Sequence, residues 1–217
     1  MTDPAIDAPP ETAQETGATD TAGRPVQLST RGAARHEALI AAAAELFLAQ
    51  GLDGVSVDGI VARAGGSKTN VYRQFGGKEG LFREVVQALS RDFLSPVAAL
   101  DLAGVEPAAA LGIIGRTLLR QLLDPRHLAF QRMVLGASGR FPDLMADWYA
   151  AGPRASQAMI GRVLEGHLAD AARTGDAAVM FHDMIVTDPV NRAMMGQPLA
   201  WPVIEARIAC AARTILA

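Results

Sequence analysis

The chain has 217 residues, enough for one large or two small domains that each bury a core. Apolar residues make up 50% of it and aromatic residues only 5%, with many alanines and leucines and few β-branched runs, which argues against a sheet and for an all-α protein. The formal net charge is -3, so attraction to phosphate has to come from a local cluster of cations, and the single cysteine, Cys210, excludes an intramolecular disulfide and a cysteine-based zinc site.

Residues 1–30 carry Asp3, Asp7, Glu11, Glu15 and Asp20 against Arg24, without apolar periodicity, and read as a disordered acidic tail. The stretch lacks the basic start and apolar centre of a secretory signal, and no later stretch is long and apolar enough to span a bilayer, so the expected location is cytoplasmic. From about Ala33 to Gln50 a helix sets Leu39, Ala43, Leu46 and Phe47 on one face, and Gly51 ends it. Arg31, Arg35 and His36 near its start either reach toward phosphate or stay as solvated surface. Ser56 then caps a short helix whose apolar face is Val57, Ile60, Val61 and Ala64. Gly65 and Gly66 break that helix with a tight turn, and Ser67 caps the next, which runs to Phe75. Here Val71 and Phe75 point inward while Lys68, Thr69, Tyr72 and Arg73 fall on the opposite side. Residues 63–78 hold Arg63, Lys68, Arg73 and Lys78 and no carboxylate, a local excess of positive charge suited to phosphate.

These residues form an ordered set: AELFLAQGLDGVSV at the end of the first helix, then IVARAGGSKTNVYRQFGGKEGLF, with the spacing Tyr72, Phe75, Lys78. In that order the region 31–93 resembles the DNA-binding domain of TetR-type transcriptional regulators. The resemblance implies a helix-turn-helix domain over 31–77 and a helical ligand-binding and dimerisation domain over 78–217. It implies base reading by Lys68, Thr69, Asn70, Tyr72, Arg73 and Gln74, with Ser56, Ser67 and Lys78 completing the DNA surface. Chemistry ranks them: Arg73 can grip guanine with two hydrogen bonds, Thr69 can meet a thymine methyl, and the Tyr72 hydroxyl suits phosphate. Gly77 stands where the family usually carries a side-chain cap, a weaker start for the following helix.

That helix presents Leu81, Phe82, Val85, Val86, Leu89 and Phe93 and is expected to be disturbed at Ser95-Pro96. Glu106-Pro107, Asp124-Pro125 and Phe141-Pro142 start three more helices. The third continues through LMADWYAAGPRASQAMIGRVLEGHLADAARTG, interrupted at Gly152-Pro153 and closed by Gly175. A pair follows, roughly 176–195 and 201–216. The first of the pair carries Val179, Met180, Phe181, Met184, Ile185, Val190, Met194 and Met195, with a kink expected at Pro189. By the resemblance these last two helices join those of a second subunit in a homodimer; the alternative for each residue is a core within the chain. RFPDLMADWYAAGP also resembles the AefR-like regulatory domain of some of these proteins.

Aromatic and thioether side chains that could line a pocket are Phe93, Phe130, Met133, Phe141, Trp148, Tyr149, Met159, Phe181 and Met184, each alternatively plain core. An apolar or aromatic effector would suit them. No convergent set of catalytic groups stands out, so an enzyme is not expected, and neither is a cofactor. His36, His127, His167 and His182 are scattered; His167 and His182 could meet near Asp170 or Asp183, but hydrogen-bonded or surface histidines explain them as well as a metal does. By the resemblance the function is a homodimeric repressor on a palindromic double-stranded DNA operator, released by a small molecule that levers the helix over 78–93. The rival is a helical protein that binds small molecules or partners without selecting DNA, and the intact basic surface over 63–78 argues against it. Cys210 is expected as a small buried side chain on the last helix.

Overall fold

A computed structural model describes residues 30–168 and 170–217, so the acidic stretch lies outside the described residues except for Thr30. All regular structure among the described residues is helical. It comprises α1 (Thr30–Gln50), α2 (Val57–Ala64), α3 (Lys68–Phe75), α4 (Lys78–Ala98), α5 (Pro107–Leu122) and α6 (Pro125–Ala137). Then come α7 (Pro142–Tyr149), a π-helical turn (Ala150–Arg154), α8 (Ala155–Leu164), α9 (Ala171–Met194) and α10 (Trp201–Leu216). The all-α expectation holds, as do the proline starts of α5, α6 and α7.

Two apolar cores organise the helices. In the first, the aligned faces of α1 (Leu39, Ala43, Phe47), α2 (Ile60), α3 (Val71, Phe75) and α4 (Leu81, Phe82, Val85) close on one another. Phe47 meets the edge of Phe82, with ring centroids 5.3 Å apart. This core also takes in Phe130 and Val134 of α6 and Phe141 and Leu144 of the α6–α7 corner, so α2, α3 and the middle of the chain share one interior. The second core joins α5, α8, α9 and α10 through Leu111, Ile114, Leu118, Ile160, Phe181, Ile185, Ile204 and Ile208. Gly115 lets α5 approach α10 closely: a Cβ there would lie 2.9 Å from Ile208 Cγ2. The long helix α4 runs between the cores, contributing Phe82 to one and Val97 to the other.

Several element boundaries differ from the sequence expectation. Helix α4 passes through Ser95-Pro96 and ends at Ala98. Pro96 has no N–H to give the Asp92 carbonyl, and the Ser95 hydroxyl donates to that oxygen instead, at 2.9 Å. The helix begun at Pro142 is continuous across Gly152-Pro153, because the turn widens to a π-helix where Pro153 cannot donate. It closes at Leu164, followed by Gly166 at φ 76°, and not at Gly175, which lies inside α9. Helix α9 begins at Ala171 because Asp170 caps it, accepting from the Arg173 N–H at 2.7 Å. Cys210, expected to be buried, is exposed on α10. Among the described residues no helix is long and apolar enough to cross a membrane.

Candidate nucleic-acid interface

Local chemistry builds a turn between two short crossed helices. Ser56 begins α2 by accepting from the Gly59 N–H at 3.1 Å, and Ser67 begins α3 by accepting from the Asn70 N–H at 3.3 Å. Between them Gly65 and Gly66 adopt φ of 74° and 118°, values that disfavour any side chain. Helix α3 is then pinned from beneath: Val71 is fully buried, Phe75 nearly so, and the His36 ring of α1 stacks on Phe75 with centroids 4.8 Å apart. The opposite face stands in solvent, where Lys68, Thr69 and Arg73 are exposed and Tyr72 is 59% exposed. The Cβ of any residue replacing Gly77 would lie 3.3 Å from the Tyr72 ring, and Gly77 sits at φ 122°. Its glycine therefore answers to backbone shape rather than to capping.

The polar atoms of this face are differently employed. Arg73 Nη2 donates to Asn70 Oδ1 at 2.7 Å, which steers the guanidinium and leaves its other N–H groups available. Asn70 has thus spent its carbonyl and keeps an amide donor. Lys68 Nζ pairs with Asp58 Oδ2 of α2 at 2.7 Å, and its pKa is raised by the hydrogen bond it donates to that carboxylate and by the carboxylate's charge. Gln74 is half-buried with Oε1 enclosed and unpartnered, which ties it to the α3 underside more than to the exposed face. Arg35 of α1 borders a shallow hollow with Gly66, Ser67, Thr69, Asn70 and Arg73, so α1 brings a cation beside α3 that the motif alone does not include.

Lys78 has a structural role the sequence reading missed. Its ammonium, half-buried, donates to the carbonyls of Leu52 at 2.9 Å and Val55 at 3.0 Å, tying the start of α4 to the α1–α2 loop. An ammonium has three protons, so these two bonds leave one over. Close by, Arg140 of the α6–α7 corner bonds Asp53 in that loop, at 3.1 Å, and Glu79 in the first turn of α4.

A second site lies among the later helices. A cavity of about 70 Å³ is bounded by α4, α5, α6, α7, the π-helical turn, α8 and α9. Of the nine side chains expected to line a pocket, Phe93, Phe130 and Trp148 border this one. The others are elsewhere. Met133 and Phe141 fill the first core and Phe181 the second, Met159 and Met184 pack at the edge of the second, and Tyr149 is 47% exposed. Phe141 instead packs on Phe82, centroids 5.7 Å apart, beneath the Arg140 ties.

Sequence reasoning missed the polar part of the lining: Ser90, His127, Gln131, Ser156 and His182. A signal was available, since Ser90 stands three before Phe93 and His127 three before Phe130, the spacing that places a polar group beside an aromatic one on a helix face. His127 is 7% exposed, its Nδ1 has no partner, and the Phe93 ring meets it edge-on at 4.6 Å. Burial lowers its pKa to about 4 against an opposing pull from Asp124, so the imidazole is neutral near pH 7. His182 Nδ1 lies 3.0 Å from Asp183 Oδ1, while His167 is exposed beyond α8. Among the described residues no group of three or more His, Cys, Asp or Glu could hold a metal ion.

Comparison with known proteins agrees with this geometry. Residues 39–85 match the family described as bacterial regulatory proteins, tetR family, and residues 109–217 match the AefR-like transcriptional repressor C-terminal domain. A solved TetR-family transcriptional regulator from Mesorhizobium loti is 27% identical, covering 87% of this chain and 98% of its own, with a TM-score of 0.74. The flavonoid-responsive regulator FrrA is 30% identical, covering 84% of this chain and 95% of its own, with a TM-score of 0.69. A TetR transcriptional regulator from Agrobacterium tumefaciens shares the fold at 24% identity, with 84% and 92% covered and a TM-score of 0.64. No curated protein matches the sequence.

Proposed function

The chain belongs to the TetR family of DNA-binding transcriptional regulators, with an AefR-like C-terminal domain, and from that premise we propose that it is a homodimeric repressor. It reads a palindromic operator through α3 and releases it when a small molecule binds among the later helices. The observation that carries this reading is the division of α3 into a buried side, Val71 and Phe75, and a projecting side of Lys68, Thr69, Tyr72 and Arg73. A helix held so fits the major groove, where each base pair offers a distinct pattern of donors, acceptors and methyl groups. Arg73, steered by Asn70, reads guanine, and Thr69 meets a thymine methyl. Tyr72, Arg35, the third proton of Lys78 and the hydroxyl protons of Ser56 and Ser67 serve phosphate. Lys68 reaches the DNA by exchanging Asp58 for it.

Exposed apolar side chains on the last two helices, Val179 and Met180 of α9 and Val203 of α10, support pairing with a second copy. Two reading helices set about 34–36 Å apart, or a multiple of that, then match a palindrome. Release follows from how the sites are joined. Phe93 on α4 and Phe130 on α6 border the cavity, α4 starts at Lys78, and the α6–α7 corner is tied to both Asp53 and Glu79. A ligand that displaces these helices displaces the mounting of α3. That a relative is named flavonoid-responsive supports an aromatic effector.

The test is selection of bound duplexes from a random library, followed by titration of the preferred duplex at two salt concentrations. A palindrome bound with a steep salt slope is the expected outcome. Weak binding that ignores sequence would overturn the operator reading.

A further inference from the structure

The chemistry of the cavity restricts what it can hold. It has no Lys, Arg, Asp or Glu in its lining, so an ionised ligand would be left without a counter-charge in a largely apolar site. Its ring-shaped surfaces are Phe93, Phe130 and Trp148. Its hydroxyls have already spent their protons within the protein: Ser90 donates to the Val86 carbonyl at 2.8 Å and Ser156 to the Pro153 carbonyl at 2.8 Å. Both oxygens therefore face a ligand as acceptors. Neutral His127 keeps one lone pair whichever nitrogen carries its proton, and its Nδ1 is unpartnered in a buried setting; with the proton on Nε2, Nδ1 is an unmet acceptor whose cost a ligand donor relieves. The Gln131 amide, the Trp148 indole and the His182 imidazole bring N–H donors to the wall.

Resting on the reading of the later helices as an effector site, we propose that this cavity takes an uncharged aromatic ring bearing a hydroxyl, a simple phenol, whose O–H donates to His127. The ring lies among Phe93, Phe130 and Trp148. Size makes Trp148 the gate. The cavity measures about 70 Å³, less than the roughly 150 Å³ that holds benzene. Beside it, between α4 and α7, runs a surface groove of about 430 Å³ that shares Ser90 and Trp148 with the cavity and, unlike it, carries charged residues, Arg91 and Asp147, one of each sign. Swinging the half-buried Trp148 ring joins the two spaces and gives a ring a way in. The π-helical turn that follows Trp148 lines both and can absorb the shift.

The experiment titrates the full-length protein, free of DNA, with phenol, anisole and benzoate, following tryptophan fluorescence and heat. Phenol is expected to bind about tenfold more tightly than anisole, which has lost the donor, and benzoate not measurably. His127→Phe should bring phenol and anisole together, while His127→Gln, which restores an acceptor, should recover part of the preference. Equal binding of phenol and anisole by the unaltered protein, or binding of benzoate as strong as that of phenol, would overturn the proposal without needing a variant. The same preparation is then titrated with its selected duplex. Phenol that binds with the expected preference yet leaves duplex affinity unchanged supports the ligand class and removes release by this site. Release by benzoate with no response to phenol does the reverse.

Discussion

At the scale of single residues, position on one short helix decides between reading and mounting. Arg73 projects from α3 with its guanidinium held by Asn70 at 2.7 Å, a geometry suited to a two-pronged grip on guanine. Arg73→Ala should cost about 1–3 kcal/mol on the selected duplex and relax the preference at one base pair. Equal loss on every duplex would move Arg73 to the phosphates. Lys78 is a different kind of cation, since two of its protons are engaged by the Leu52 and Val55 carbonyls. Lys78→Ala should therefore do two things: reduce the salt slope of binding by about 1 and destabilise the fold by about 1–3 kcal/mol. A variant that melts early but keeps the full slope would show that the third proton never reaches DNA. His127 adds a pH signature. Its pKa is about 4 in the fold against 6.5 when free, so the unfolded chain takes up a proton between those values that the fold refuses. The stability this confers is complete above pH 6.5 and is lost as pH falls toward 4, by about 2 kcal/mol between pH 7 and pH 5. Denaturant titrations at those two pH values should show that loss in the unaltered protein and its absence in His127→Gln. Parallel behaviour of the two proteins would place the imidazole in solvent.

At the scale of elements, the corner between α6 and α7 shows which interactions tie the later helices to the α1–α2 loop and the start of α4. Arg140 makes two ion pairs there, with Asp53 and Glu79, but all three side chains are half exposed or more. Exposed pairs contribute little, so Arg140→Ala should cost under about 1 kcal/mol. Phe141, next in the chain, is 3% exposed and packs on Phe82, and its truncation should cost about 3–5 kcal/mol. Chemical denaturation of both variants checks the contrast; the reverse order would make the corner an electrostatic clasp. Phe141 also shows where the sequence stops being legible. Periodicity and caps place α2 and α3 because Ser56, Gly65, Gly66 and Ser67 act on their own neighbours in the chain. Nothing local says that Phe130 and Phe141 would both join the first core while Phe130 alone also borders the cavity, because that depends on where α4 and α6 cross. The same holds for boundaries. Asp170 and Gly166 carried the end of α8 and the start of α9 in plain chemical terms, while Gly175 was a false stop, since a glycine in a helix held by tertiary contacts is merely a weak residue.

At the scale of the whole molecule, α9 shows why the assembly was only half readable. Its apolar residues cover more than one face, and the sequence cannot divide them between the interior and a partner. In the structure Phe181, Ile185 and Val190 enter the second core, while Val179 and Met180 remain 41% and 54% exposed. On α10, Ile204 and Ile208 turn inward, and Val203, 49% exposed, turns out beside the small exposed side chains Ala206 and Cys210, which allow close approach of a helix. A stable interface needs about 800 Å² from each partner, and two long helices bearing this outer stripe can supply it. In the dimer proposed above, assembly also determines DNA binding, because one α3 reaches only a few base pairs and selectivity comes from two engaged at once. A paired change, Met180→Asp with Val203→Asp, puts like charges into that stripe without touching the core. Sedimentation should then show a single chain where the unaltered protein shows a pair. Affinity for the selected palindrome should fall to that for an isolated half-site, while half-site affinity itself stays constant because α3 keeps its mounting. A double variant that still sediments as a pair would place the interface elsewhere. One that is monomeric yet holds the palindrome as tightly as before would mean that the two halves of the operator are read independently, and the repressor would then need no dimer.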